Sequence, residues 1–191
     1  MIRPGDIVYW DLWGMTWNGY RSCYYRTFSA GFKASQKAQD AIKVAHERQY
    51  NAITAVKPGN TTADMVKASK SGFIHIHGLG LETYVLLPVN THPGLEKEYP
   101  CELKEGQIFA MTAASSKPGA HPHRLGPIGD GQGVDIEDMV LVTKTGAEVL
   151  TRFPSDVVLT VPLQDDQGIV YRSPEDYLRE ARLRLKLPVE P

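Results

Sequence analysis

The sequence predicts an α/β (α+β) fold on three observations. Short segments rich in aromatic and β-branched residues recur along the chain, one long stretch repeats small apolar residues at helical spacing, and glycine, proline and asparagine punctuate the boundaries between them. With 191 residues, 42% hydrophobic and 23% charged, the chain can bury the core of one ordinary globular domain but not of two comfortable ones.

Residues 6–13 and 20–28 form the first pair of strand candidates, and the segment between Gly14 and Gly19 contains Asn18-Gly19, a tight-turn dipeptide, so the pair reads as a β-hairpin. A helix follows. Ser35 can cap it, Ala38, Ala41, Ile42, Ala45, Ala52, Ile53 and Val56 recur on one face, Lys37, Asp40, Glu47 and Arg48 lie on the other, and Pro58-Gly59 stops it. Thr61 with Asp64 three positions later resembles a capping box, but Gly72 arrives so soon that the second helix can be little more than two turns. Strands are expected over 73–88, 107–114, 136–144, 148–153 and 157–161, with a tight turn at Thr145-Gly146 making a second hairpin. Residues 119–133, with their glycines, prolines, His121 and His123, read as a long loop, which in a compact domain is more often functional than idle. Ser173-Pro174 opens a last helix, near 174–187, that ends before Pro188. There are no internal repeats and no low-complexity segments.

Composition excludes several classes of partner. A formal charge of −1 supplies no basic field for a nucleic-acid backbone, so Trp10, Trp13 and Trp17 are expected to pack under a sheet rather than to stack on bases. No apolar run approaches the roughly 18 residues a membrane span requires. Cys23 and Cys101 are too few for a disulfide framework and no charged-then-apolar leader precedes Pro4, so the expectation is a protein of the reducing cytoplasm.

Two segments carry the chemistry. Ile76-His77-Gly78-Leu79-Gly80-Leu81-Glu82 and Gly133-Val134-Asp135-Ile136-Glu137-Asp138-Met139-Val140 set His77 and Glu137 in a frame of glycines and branched apolar residues, as a metal-binding side chain on a buried sheet would be. Together with Gly5-Asp6-Ile7-Val8, Asp11, the run from Gly19 to Phe28 and Leu150-Thr151-Arg152-Phe153-Pro154, they resemble, in the correct order from about Pro4 to Pro154, the pita-bread family of aminopeptidase P, prolidase, methionine aminopeptidase and creatinase. The resemblance implies a curved, mostly antiparallel sheet with helices on one face, its first half incomplete because the chain opens close to the first aspartate. It implies a partial pita-bread-like catalytic domain over residues 1–160 and a C-terminal extension over 161–191.

In the metallopeptidases of that family two aspartates, one histidine and two glutamates hold a pair of divalent metals that activate a water. By resemblance the first aspartate maps to Asp11, the histidine to His77 and the last glutamate to Glu137, whereas the second aspartate falls on Cys23 and the first glutamate on Thr112. Where many members carry a second histidine and a glutamate after the glycine-rich segment, this chain has Tyr84 and Val85. The arginine often found before the last glutamate is replaced around Asp135.

Taken singly, Asp11 is an ordinary hairpin carboxylate, His77 a satisfied core histidine, Glu137 a solvated strand residue and Cys23 a small buried hydrophobe. Converging on one sheet, Asp11, Cys23, His77 and Glu137 would suit one zinc or iron(II) ion better than a harder manganese pair, because sulfur is the soft donor. The cofactor expectation is therefore one divalent metal (zinc, iron or manganese) or none. Tyr84 is a candidate donor to a developing oxyanion, although an aromatic at a strand position is more often core. His75 shares strand parity with His77 and is a second catalytic candidate; His121 and His123 are substrate-binding candidates from the long loop.

The implied function is a metal-dependent hydrolase related to Xaa-Pro aminopeptidases and dipeptidases, cleaving a C–N bond of a peptide or small-molecule substrate. Two alternatives stand beside it: a metal-free, creatinase-like enzyme acting on a small polar compound, and a non-catalytic binding module, as histone-chaperone relatives of the fold are. Surface left uncovered by the shortened first half favours a homodimer or a partner chain.

Overall fold

The computed structural model of the protein describes residues 4–70, 73–81, 100–115, 134–164 and 170–171. The expected loop over 119–133 and the expected helix near 174–187 lie outside them. Strand β1 (Ile7–Asp11) leads into a short ribbon, β2 (Thr16–Trp17) and β3 (Tyr20–Arg21), and the chain returns in β4 (Tyr25–Ala30). β1 and β4 pair antiparallel, with Ile7 opposite Ser29 and Asp11 opposite Tyr25. The ribbon turns on Asn18 and Gly19, whose φ values of 49° and 86° are both positive, as a two-residue hairpin turn of matching twist requires.

Helix α1 (Gln36–Thr54) is capped by Ser35, whose Oγ accepts from the Ala38 amide at 3.2 Å, and it buries Ala38, Ile42, Ala45, Gln49 and Ala52. The short helix α2 (Thr62–Ala68) carries the full capping box between Thr61 and Asp64. The main sheet follows: β5 (Phe73–Gly78), β6 (Ile108–Ala114), β7 (Asp135–Val142) and β8 (Ala147–Val149), each antiparallel to the next. β9 (Leu159–Val161) then pairs parallel with β4, and β10 (Leu163–Gln164) pairs with β11 (Val170–Tyr171).

Strand alternation divides the main sheet into two chemically different faces. Ile74, Ile76, Phe109, Met111, Ala113, Ile136, Val140 and Val142 point to the face covered by α1 and form the apolar core with Ala38, Ile42, Ala45 and Ala52. The opposite parity carries His75 and His77 on β5, Thr112 on β6, and Asp135 and Glu137 on β7. The register places His75 opposite Thr112 and Thr112 opposite Glu137. One face holds the apolar core together with Asp138, and the other holds the remaining polar residues of these strands.

Two expectations are corrected. Trp10, Trp13 and Trp17 do not pack under a sheet: they are 56%, 53% and 82% exposed. Only Trp17 lies in the ribbon, whose strands are two residues long; Trp13 precedes the ribbon and Trp10 lies next to the end of β1, where it keeps a tilted ring contact with Phe28 at 5.8 Å. The strand expected over 148–153 ends at Val149. Leu150 still donates its amide to the Met139 carbonyl, but the Phe153 carbonyl is taken by Arg26 and Pro154 has no amide to continue a ladder.

Candidate metal and catalytic site

The polar face of the main sheet meets the chain just before β4. Arg21 donates its amide to the Gly80 carbonyl at 3.0 Å, which ties the ribbon to the glycine-rich turn after β5. Cys23, fully buried, then lies against Glu137, itself 0% exposed. The Cys23 Sγ–H donates to Glu137 Oε1 at 2.7 Å, and the Thr112 hydroxyl donates to the other oxygen, Oε2. His77 Nε2 lies 3.9 Å from Glu137 Oε2, while its Nδ1 lies 3.3 Å from the Gly78 carbonyl. The ligand-capable atoms of Cys23, His77 and Glu137 all fall within 4.8 Å of one another, and all three residues are buried.

Asp11 is not part of that trio. It stands at the exposed end of β1, directly opposite Tyr25, whose phenol donates to it. Its charge nevertheless reaches the site, contributing to upward shifts at Cys23, Tyr25 and Glu137. His75 is half-buried on the same face as His77, the two rings tilted with centroids 5.7 Å apart. Tyr84, His121 and His123 lie outside the described residues.

Burial governs the protonation of the cluster. It raises the Cys23 thiol far above its usual range, with Glu137 and Asp11 adding to the shift. It pushes the Glu137 carboxyl up to about 7, against the downward pull of the bonds from Cys23 and Thr112. It lowers His77, opposed by the Gly78 carbonyl. Each group is thus held towards its neutral form, and a divalent cation at their centre would reverse this for the thiol and the carboxyl while suiting the neutral imidazole.

Sequence reasoning missed the part played by Arg26. Read from sequence it is a basic neighbour of Cys23, but alternation sends its side chain the other way. Nη1 donates to the carbonyls of Tyr25 and Glu137, both at 2.7 Å; Nη2 reaches Asp138 Oδ1 at 2.5 Å and the Phe153 carbonyl at 2.6 Å. The guanidinium lies over the Tyr24 and Phe153 rings. It therefore fastens β4 to the backbone of Glu137 itself. Burial still raises Asp138 despite that ion pair. The only signal in the sequence was Asp138, the third acid of β7 and the one whose parity sets it apart from Asp135 and Glu137.

The profile of Metallopeptidase family M24 matches residues 1–144, and the chain belongs to that family. Among curated relatives, it is 33% identical to the Xaa-Pro dipeptidase of Pyrococcus furiosus over 162 residues, covering 79% of this chain and 41% of that protein. It is 32% identical to the putative dipeptidase YkvY of Bacillus subtilis, covering 83% and 41%. The crystal structure of dipeptidase PepE from Mycobacterium ulcerans superposes with a TM-score of 0.65 at 26% identity, covering 84% of this chain and 41% of that one. The fold is that of the pita-bread proteins. The chain spans about two fifths of the length of these relatives.

Proposed function

We propose that the chain acts as a hydrolase of a C–N bond, peptide or amide-like, using one divalent metal held by Cys23, His77 and Glu137 with Asp11 at the edge of the site. The observation that carries this reading is the convergence of a thiol, an imidazole and a carboxylate, buried and within 4.8 Å of one another, from three separate parts of the chain. The donor set fits zinc or iron(II), which accept sulfur, better than manganese. A divalent ion supplies two things there, polarisation of the scissile carbonyl and a hydroxide at neutral pH. Thr112, standing where the resemblance expects a carboxylate ligand, binds Glu137 Oε2 and so fixes the orientation of that carboxylate.

A metal-free reading has its own support. Glu137 is pushed up to about 7, close to the value that suits a general base or acid at neutral pH, and its two oxygens already have donors within the protein. Metal analysis of the purified protein, with turnover of an Xaa-Pro dipeptide, separates the readings. Stoichiometric metal that is lost in His77→Ala, with activity lost alongside, supports the metallohydrolase. Turnover with no metal favours proton transfer by side chains alone, and neither metal nor turnover leaves the scaffold as a binding module, the third reading. A homodimer or a partner chain belongs to the same proposal, supported by exposed Trp10, Trp13, Met15, Trp17 and Tyr20 on and beside the ribbon. Sedimentation that finds a monomer at high concentration refutes the dimer.

A further inference from the structure

Tyr25 connects Asp11 with the buried trio. The Arg26 guanidinium lies over the Tyr24 ring, so those two side chains share one side of the chain, and alternation gives the other side to Cys23 and Tyr25. Across the ladder Tyr25 faces Asp11. Leu12 donates its amide to the Tyr24 carbonyl at 3.0 Å, which puts the ladder bonds on the neighbouring pair. Asp11 and Tyr25 are therefore a narrow, non-hydrogen-bonded pair, the kind whose side chains approach most closely. The Tyr25 phenol donates to the Asp11 carboxylate and stands within electrostatic reach of Glu137 and Cys23 as well. The Asp11 charge in turn bears on Cys23 and Glu137.

Asp11 is the last residue of β1 and is exposed, whereas Cys23, His77 and Glu137 are buried and Tyr25 is half-buried. An exposed carboxylate at a strand end is solvated in several rotamers, and a donor fixed on the neighbouring strand selects one of them. We infer that Tyr25 is a positioning residue of the site: its hydroxyl holds the Asp11 carboxylate at the solvent side of the trio, where the charge strengthens the hold on a divalent cation. The trio supplies three donors, the number that leaves a position open for water or substrate in a catalytic zinc site. Groups that orient the carboxylates around such a site typically change metal affinity by about 10–100-fold. Tyr25 does for Asp11 what Thr112 does for Glu137. The inference rests on the metallohydrolase reading and adds to it the residue that fixes its outermost carboxylate.

The test measures the zinc affinity of the full chain, by competition with a chromophoric chelator, in wild type, Tyr25→Phe, Asp11→Asn and the double variant, with the urea midpoint of each as a check on the fold. Tyr25→Phe keeps the ring and removes the donor, and is expected to weaken zinc binding at least about tenfold. Asp11→Asn should weaken it at least as much. In that background Tyr25→Phe should add less than about twofold, because the hydroxyl acts through Asp11. A hydroxyl that served packing alone would move the urea midpoint and leave zinc affinity where it was. Unchanged affinity in Tyr25→Phe, or a loss of the same size in the Asp11→Asn background, overturns the inference. Should Tyr25→Phe fail to fold, Asp11→Asn with tyrosine labelled at Cζ takes its place: a shifted Tyr25 resonance together with zinc bound at least about tenfold more weakly is expected, and the absence of either overturns the inference. Wild type that binds no zinc sinks the metal reading and this inference with it, whereas zinc bound equally by wild type and Tyr25→Phe sinks this one alone.

Discussion

The protonation of Glu137 makes the metal-free protein less stable as the solution becomes more alkaline, and Glu137→Gln should remove that dependence. Burial raises this carboxyl from 4.5 to about 7. Between those values the folded state holds a proton that the unfolded state has released, so the stabilisation is complete below the unfolded value, near 4.5, and is lost as pH rises through about 7. One proton over that window corresponds to on the order of 3 kcal/mol, a large part of the roughly 5–15 kcal/mol that holds a domain together. Asp135, pushed up to about 7 by burial and by Glu137, slopes the same way; because the Glu137 charge is part of the Asp135 shift, the two contributions do not add. Gln cannot ionise and nearly matches Glu in shape. Urea unfolding between about pH 5 and 8 in the presence of a chelator is the assay, with the midpoint followed at each pH. The variant should show a shallower fall than wild type across this range, by up to about one proton. A wild-type slope of zero, or a variant with an unchanged slope, refutes the account of Glu137 as a neutral buried acid. With zinc added the sign should invert, because metal binding displaces protons and strengthens as pH rises.

The remaining predictions follow from single contacts. Cys23→Asp, which replaces the soft donor by a hard one, should shift metal preference from zinc towards manganese in a competition titration; an unchanged preference removes Cys23 from the ligand set. Arg26→Met leaves Asp138 buried without its ion-pair partner, keeping among the described residues only the bond with Gln49, and should cost about 3–5 kcal/mol in denaturant unfolding, with most of that cost recovered in the double variant with Asp138→Leu. Ile42→Ala, at the centre of the α1 face, should cost about 2–5 kcal/mol. Trp17→Ala, at a side chain 82% exposed, should change stability by less than about 0.5 kcal/mol.

Much of the fold was legible because local chemistry and tertiary packing agree. The α1 spacing, the Ser35 cap, the Thr61–Asp64 capping box and the Asn18-Gly19 turn each specify their element from within a few residues, and each is present in the structure. What was not legible depends on neighbours distant in sequence. The parallel pairing of β9 with β4 joins Phe28 to Leu159, and nothing in either segment distinguishes a parallel from an antiparallel partner. The tryptophans failed for a related reason. An aromatic residue in a strand implies burial only where a second layer covers the strand, and neither the end of β1 at Trp10 nor the two-residue ribbon at Trp17 is so covered.

The candidate site divides along the same line. His77 and Glu137 stood out because a polar residue in an apolar strand needs an explanation, and strand parity alone puts His75, His77, Thr112, Asp135 and Glu137 on one face once the register is known. Parity could not say which of these would meet Cys23, since that depends on β4 crossing to β7, nor that Asp11 would turn to Tyr25 at the end of its own hairpin. Arg26 supplies the missing link. By holding the Glu137 carbonyl and the Asp138 carboxylate from one side of β7, it fixes the strand so that the Glu137 side chain emerges on the other, against Cys23 and Thr112. Alternation thus separates two jobs on consecutive residues: Asp138 carries the ion pair that sets the strand, which leaves Glu137, among the described residues, without a Lys or Arg partner and available to a ligand. A variant that breaks the first should weaken the second, so zinc affinity measured in Arg26→Lys is the sharpest check. Undiminished affinity in a destabilised protein would show that the site does not depend on the clamp beneath it.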